Sequence, residues 1–257
     1  VGFSGDTVTS WDSLEFQPRF TATAANIGYF WWSHDIGGHM LGTKDEELTA
    51  RWFQFGAFSP INRLHSSADP FNSKEPMRFG LEVRQTLIDF LRLRHRLVPY
   101  LYTAMWAAHS HGIGIVRPMY QDYPTKPEAF GVPNQYMFGP DMIVAPITAP
   151  RDAASRLASV KVWLPHGTWT DLFTGITYEG NRTLTMYRPI EQIPVLVRAG
   201  AALTLNDDPM SDAGANPETI VLRVIPGTCE SIVDEDDGSL EPGPDQRYRT
   251  VVSVSED

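Results

Sequence analysis

Cysteine is almost absent from this sequence. Cys229 is the single thiol in 257 residues, so no internal disulfide and no cysteine-built zinc site can form, and a lone thiol in a strand-like run is read as inert. Positive charge is scarce as well: 21 Lys and Arg stand against 31 Asp and Glu, for a formal net charge of −10. Without a basic face there is nothing to displace counterions from a phosphate backbone, which excludes nucleic acid as a partner; neutral or cationic ligands fit better. No apolar run approaches the ~20 residues of a membrane-spanning helix, so no membrane partner is expected. The opening "VGFSGDTVTS" has neither an initiator methionine nor a basic-then-apolar leader, and the chain is expected to begin inside a larger protein. Internal repeats and low-complexity tracts are missing too. None of these features fixes a compartment.

What is present is a globular composition. With 42% hydrophobic and 11% aromatic residues, the chain can build a large core in one large or two medium domains. Its texture changes near Gly112. Before that point short apolar runs such as "NIGYFWWS" and "FSPINRL" alternate with helical patterns such as "DEELTARWFQFGAF", the βα rhythm of a parallel sheet or barrel. From Met77 to His111, Leu87, Ile88, Leu91, Val98, Leu101, Met105 and Ala108 recur at helical spacing, with Arg84, Arg92 and Arg96 on another face. Pro99 lacks the amide its turn requires, so one bent helix or two joined helices are expected. After Pro118 short β-rich runs cut by Pro and Gly predict an antiparallel sandwich. A polar break, "NDDPMSDAGANPE", precedes a last β-rich stretch carrying the acidic turn "DEDDG", expected to be a solvated hairpin because it lacks the ligand spacing of a calcium loop.

The polar residues at the ends of the early strand-like runs are the candidates for chemistry. Asp6 follows Gly5 in "FSGDT", where an α/β barrel places catalytic groups, although an isolated aspartate before a helix is more often its cap. Asp35 closes "GYFWWSHD" and precedes Gly37 and Gly38, and His65 closes "FSPINRL" in the same manner. Three successive exits ending in site-competent residues are harder to explain by capping. A catalytic metal on His34, Asp35, His39 and His65 is weighed and set aside: adjacent residues on an extended segment point to opposite faces, and two glycines need not return His39 to the same point. Trp31 and Trp32 should likewise face opposite ways, one into the core. His95, His109, His111 and His166 receive no role.

"FSGDT", "SHDIGGH", "RWFQFGAFSPINRLHS", "LRHRLVPYLYTA", "RPMY", "MFGPDMIVAP", "VWLPHGTWTDLFTG" and "IPVLVRAGA" occur in order between Val1 and Leu205. Together they resemble glycoside hydrolase family 31, the α-glucosidases, α-xylosidases and related retaining enzymes. The resemblance implies a fold of α/β plus all-β class. Residues 1–112 would be the last part of a (β/α)₈ TIM barrel, 113–205 a proximal C-terminal β-sandwich, and 206–257 a linker and partial distal β domain. It implies that Asp6 is the general acid/base, that Asp35 binds sugar hydroxyls, that Arg63 and His65 line the same pocket, and that Phe3 forms an aromatic wall. His39 departs from the phenylalanine many members carry after the glycine pair, so it would help select the sugar. No cofactor is implied.

The family's nucleophile is an aspartate after the fourth barrel strand, and no residue here matches it; the arginine expected shortly before "FSGDT" is missing too. Retaining chemistry needs two carboxylates ~5 Å apart, and a barrel takes ~250 residues. The expectation is therefore an α-glycosidase portion that acts on an oligosaccharide or α-glycoside, partnered by a missing N-terminal half of the same enzyme and inactive alone. Should the isolated chain turn over substrate, Asp69 would be the first suspect for the second carboxylate. The alternative from another class is a non-catalytic carbohydrate-binding β-sandwich that uses Trp163 and Trp169.

Overall fold

Residues 1–212 and 214–255 are described by a computed structural model. Two short strands, β1 (Gly2–Phe3) and β2 (Trp32–Ser33), pair in parallel with Gly2 opposite Trp32 and Phe3 opposite Ser33. Helix α1 (Trp11–Thr23) makes the crossover between them, and its N-cap is Ser10, whose hydroxyl accepts from the Ser13 amide. Asp6 is thus not the cap of this helix. α2 (Glu46–Ala57) follows β2 and is capped by Asp45, which accepts from the Leu48 amide and takes a second hydrogen bond from the Trp11 indole at 2.9 Å.

The run expected as a third strand does not become one. Phe58 closes α2 and Pro60 has no amide to donate, so residues 61–65 continue as a loop. Two backbone bonds still lay that loop beside β2: Ile61 N to Trp32 O at 3.3 Å and Ile36 N to Arg63 O at 3.4 Å. The parallel part therefore stays narrow, and the described residues contain no closed barrel. α3 (Leu81–Arg96) and α4 (Val98–His111) meet at Leu97, with Pro99 in the first turn of α4, where a missing amide is tolerated. Arg94 of α3 is half-buried and donates to the carbonyls of Ala57, Ser59 and Pro60, which pins the start of the 61–65 loop to the helix layer. Burial lowers its guanidinium to about 10.

The remaining strands are β3 (Val116–Pro118), β4 (Tyr136–Phe138), β5 (Met142–Val144), β6 (Ala158–Leu164), β7 (Thr168–Asp171), β8 (Thr177–Glu179), β9 (Arg182–Arg188), β10 (Val195–Arg198), β11 (Ala202–Asn206), β12 (Ile220–Val224), β13 (Cys229–Asp236) and β14 (Arg247–Val254). Six of them form an antiparallel sheet in the order β3-β4-β5-β10-β7-β8, while β6 and β9 pair separately. Strand alternation gives the sheet two apolar faces. Tyr136, Phe138, Met142, Val144, Val195 and Val197 join the core shared with α2, α3 and α4. Met137, Ile143 and Leu196 face a second core built with Val162, Trp163 and Leu164 of β6, Trp169 of β7 and Met186 of β9. The expected sandwich is thus one six-stranded sheet covered by a two-stranded ribbon.

Residue 206 is the last of β11, which pairs with β12, so the polar "NDDPMSDAGANPE" run links two strands of a hairpin. β13 and β14 form a second hairpin that docks on α4 through Asp234 N to Thr103 Oγ1 (3.0 Å) and Arg247 stacked 3.9 Å over Trp106. In its turn, Asp236 and Asp237 accept from the Gly238 and Ser239 amides, which occupies the acidic side chains locally.

Candidate active site

β2 divides its side chains between core and site. His34 is fully buried: Trp52 Nε1 donates to its Nδ1 (3.1 Å), its Nε2 lies 2.8 Å from Ser59 Oγ, and its ring stacks on Phe55 at 4.4 Å. With Nδ1 accepting, Nε2 carries the hydrogen and donates to Ser59, which passes its own to Phe55 O. Burial, helped by the charge of Arg63, pushes His34 down to about 3 from an ordinary 6.5. The unfolded chain takes up this proton near pH 6.5 and the folded chain near 3, so the stabilisation is complete above pH 6.5 and lost as the pH falls toward 3. At about 1.36 kcal/mol per pH unit, acidification from 6.5 to 5 should cost about 2 kcal/mol through this residue. Urea midpoints measured across that range should fall more steeply for the wild type than for His34→Gln. Parallel slopes would refute the assignment.

Asp35 points the other way. It is fully buried, and Arg63 donates to its Oδ1 at 2.6 Å. Arg63 in turn lies over the Phe3 ring, 4.6 Å from its centroid. The chain then turns at Gly37 (φ +86°) and Gly38 (φ +80°), a left-handed path that favours glycine. A Cβ on Gly38 would sit 2.7 Å from Thr9 Cα, and one on Gly37 2.8 Å from Lys74 Nζ. The turn returns His39 to Asp35, against the sequence-based argument that it need not: His39 Nδ1 is 3.3 Å from Asp35 Oδ2, and both atoms are buried with no hydrogen-bond partner among the described residues. The other ring nitrogen, Nε2, lies 3.7 Å from Asp6 Oδ2. The His39 and His65 rings pack 4.8 Å apart.

Phe3, Arg63, Asp35, His39, Asp6 and His65 therefore form one connected cluster at the exits of β1 and β2. Asp6 is half-exposed while Asp35 is sealed, so the first is open to solvent and the second is closed off beneath it. Sequence reasoning missed Lys74, which is nearly buried and donates to Gly37 O at 2.7 Å, holding the glycine turn. Burial lowers it to about 8, opposed by the charge of Asp35. No spacing in "SADPFNSKEP" announces that role.

Asp35, His39 and His65 each offer one ligand atom within 4.8 Å of the others. Arg63 already occupies one oxygen of Asp35, and Lys74 adds a second cation beside it. A divalent ion would enter next to two positive charges, which disfavours metal binding at the trio. Asp69 caps a short 3₁₀ turn by accepting from the Phe71 amide, which leaves it no place in the cluster. Trp31 is half-exposed and lines a separate groove of about 620 Å³ with Trp106 and Leu240, away from the cluster. Trp163 and Trp169 are buried in the second core, which removes these two as ligand contacts for a carbohydrate-binding β domain.

Carboxylates, imidazoles, a guanidinium and an aromatic ring gathered at parallel strand exits, with an antiparallel β domain behind them, make a lining suited to a polar ligand. Residues 1–104 match the family 31 glycosyl hydrolase TIM-barrel domain, and residues 112–203 match that family's C-terminal domain. The chain belongs to glycosyl hydrolase family 31.

Similar proteins include an alpha-xylosidase of Saccharolobus solfataricus, 33% identical over 88% of this chain and 31% of the relative. Alpha-glucosidase 2 of Bacillus thermoamyloliquefaciens is 30% identical over 80% of this chain and 25% of its own. Among solved structures, the Flavobacterium johnsoniae dextranase complexed with glucose superposes with a TM-score of 0.84, at 27% identity, over 99% of this chain and 33% of that one. The Xanthomonas citri alpha-xylosidase superposes with a TM-score of 0.79, at 31% identity, over 92% and 27%. The chain thus spans about a quarter to a third of the length of these relatives.

Proposed function

We propose that this chain carries the acid/base and sugar-binding half of a retaining α-glycosidase acting on terminal α-xylosides or α-glucosides. The observation that carries the proposal is the unbroken contact path from Phe3 through Arg63, Asp35 and His39 to Asp6. In this reading Asp6 protonates the departing glycosidic oxygen and later deprotonates water, while Asp35, Arg63 and His65 hold sugar hydroxyls and Phe3 covers a ring face. Asp35 is sealed and bound to Arg63, so it is assigned to binding, and the nucleophile is a second carboxylate from the remainder of a barrel supplied by the same enzyme. The names of the relatives support the substrate class. Exposed Val1, Phe16, Ile27 and Leu41 are apolar surfaces that such a remainder would cover.

Proton NMR of the complete enzyme acting on an aryl α-xyloside or α-glucoside tests the proposal, with the α-anomer expected as the first product and the β-anomer appearing by mutarotation. Residues 1–257 alone should hydrolyse neither substrate. Initial release of the β-anomer would reject retention, and robust turnover by the isolated chain would reject the division of carboxylates.

A further inference from the structure

His39 is the member of the cluster that touches both carboxylates. The nitrogen facing Asp35 is Nδ1, and Asp35 already accepts from Arg63 through its other oxygen. At 3.3 Å from a carboxylate oxygen that has no other partner, Nδ1 is the ring nitrogen placed to carry a hydrogen toward Asp35. Nε2 is thereby aimed at Asp6, 3.7 Å away. The Asp6 carboxyl is half-exposed and makes no side-chain hydrogen bond among the described residues, so it can turn between His39 and a ligand. An ionised Asp6 facing a bare ring nitrogen would have no hydrogen between them, whereas a single proton satisfies both. The charged or titratable groups around His39 are Asp6, Asp35, His65, Arg63 and Lys74.

We infer that His39 holds the acid proton of Asp6, so that the two residues form a proton-sharing pair oriented by Asp35. The inference rests on the acid/base role proposed above. When the glycosidic C–O bond breaks, its electron pair stays on the leaving oxygen, which takes the proton from Asp6. The anomeric carbon passes to the nucleophilic carboxylate as an ester. Water then attacks that carbon, the ester bond breaks, and the proton released by water returns to Asp6 and the pair. His39 is thus a positioning residue, acting through Asp6. A phenylalanine here would leave Asp6 without a partner for that proton.

The complete enzyme carrying His39→Phe, His39→Gln or Asp6→Ala tests this, with an alkyl disaccharide and a dinitrophenyl α-glycoside as substrates. His39→Phe should lower kcat/KM on the disaccharide by ~10–100-fold, a fraction of full acid catalysis, while the activated glycoside changes by less than about threefold. Retained turnover of the activated glycoside also reports a folded site. Glutamine can hydrogen-bond but cannot take up the proton, so His39→Gln should match His39→Phe. Full activity in His39→Gln, an equal fall on both substrates with weaker inhibition by the free monosaccharide, or no change at all would overturn the inference. If Asp6→Ala is selective for the poor leaving group and His39→Phe is not, this inference alone fails. If Asp6→Ala is itself unselective, the acid assignment fails first.

Discussion

Replacing Asp6 with alanine in the complete enzyme is expected to slow hydrolysis of a natural disaccharide by roughly 10²–10⁴-fold, the range typical of general acid/base catalysis. The alkoxide of such a substrate leaves poorly, and Asp6, open to the ligand side of the cluster, is the group proposed to protonate it. A dinitrophenyl α-glycoside needs little protonation, so its first step should be nearly intact. Breakdown of the intermediate still requires a base, and the covalent species should accumulate and show as a burst. Azide attacks that species without a base; it should restore turnover and give the α-glycosyl azide, because it enters from the face that water uses. Equal losses on both substrates with no azide response would make Asp6 a binding residue.

The variant Asp35→Ala should fail differently. Its carboxylate is sealed and paired with Arg63, and removal leaves that guanidinium without its acceptor and the Lys74 ammonium and His39 ring without a neighbouring negative charge. Hydrogen bonds to charged groups are worth about 1.5–3 kcal/mol each, so losing the bond from Arg63 together with one that Arg63 makes to a sugar hydroxyl corresponds to roughly 10²–10⁴ in kcat/KM. The loss should be the same for both substrates, since a hydroxyl-binding carboxylate supports each transition state whatever the leaving group. Azide should have no effect. A selective loss on the disaccharide would move the acid from Asp6 to Asp35.

Much of this was legible in the sequence, for physical reasons that can be stated. Asp35 and His34 point opposite ways because they are adjacent on the segment that continues from β2, and Pro99 marks the start of α4 because a proline is tolerated where no amide bond is made. The return of His39 was not legible. It depends on two positive φ angles held in place by Thr9 and Lys74, contacts that cross 29 to 37 residues of sequence and leave no local pattern. Arg94 escaped notice because an arginine on an arginine-rich helix looks solvated, whereas here it closes three carbonyls at the end of α2. The 61–65 run has the apolar texture of a strand, yet Pro60 denies it the regular ladder. Docking of the last hairpin on α4 rests on Arg247 over Trp106, a pairing of residues 141 positions apart.

The six-stranded sheet has a consequence for how the chain falls apart. Each of its central strands contributes alternate side chains to two different cores, so neither core can lose the sheet without the other losing its floor. Arg51 of α2 ties the same wall to the loop between β9 and β10 through the carbonyls of Pro189 and Gln192. The segment bearing the cluster and the β domain behind it should therefore melt in one transition, and a cavity beside Trp163 should lower that shared midpoint.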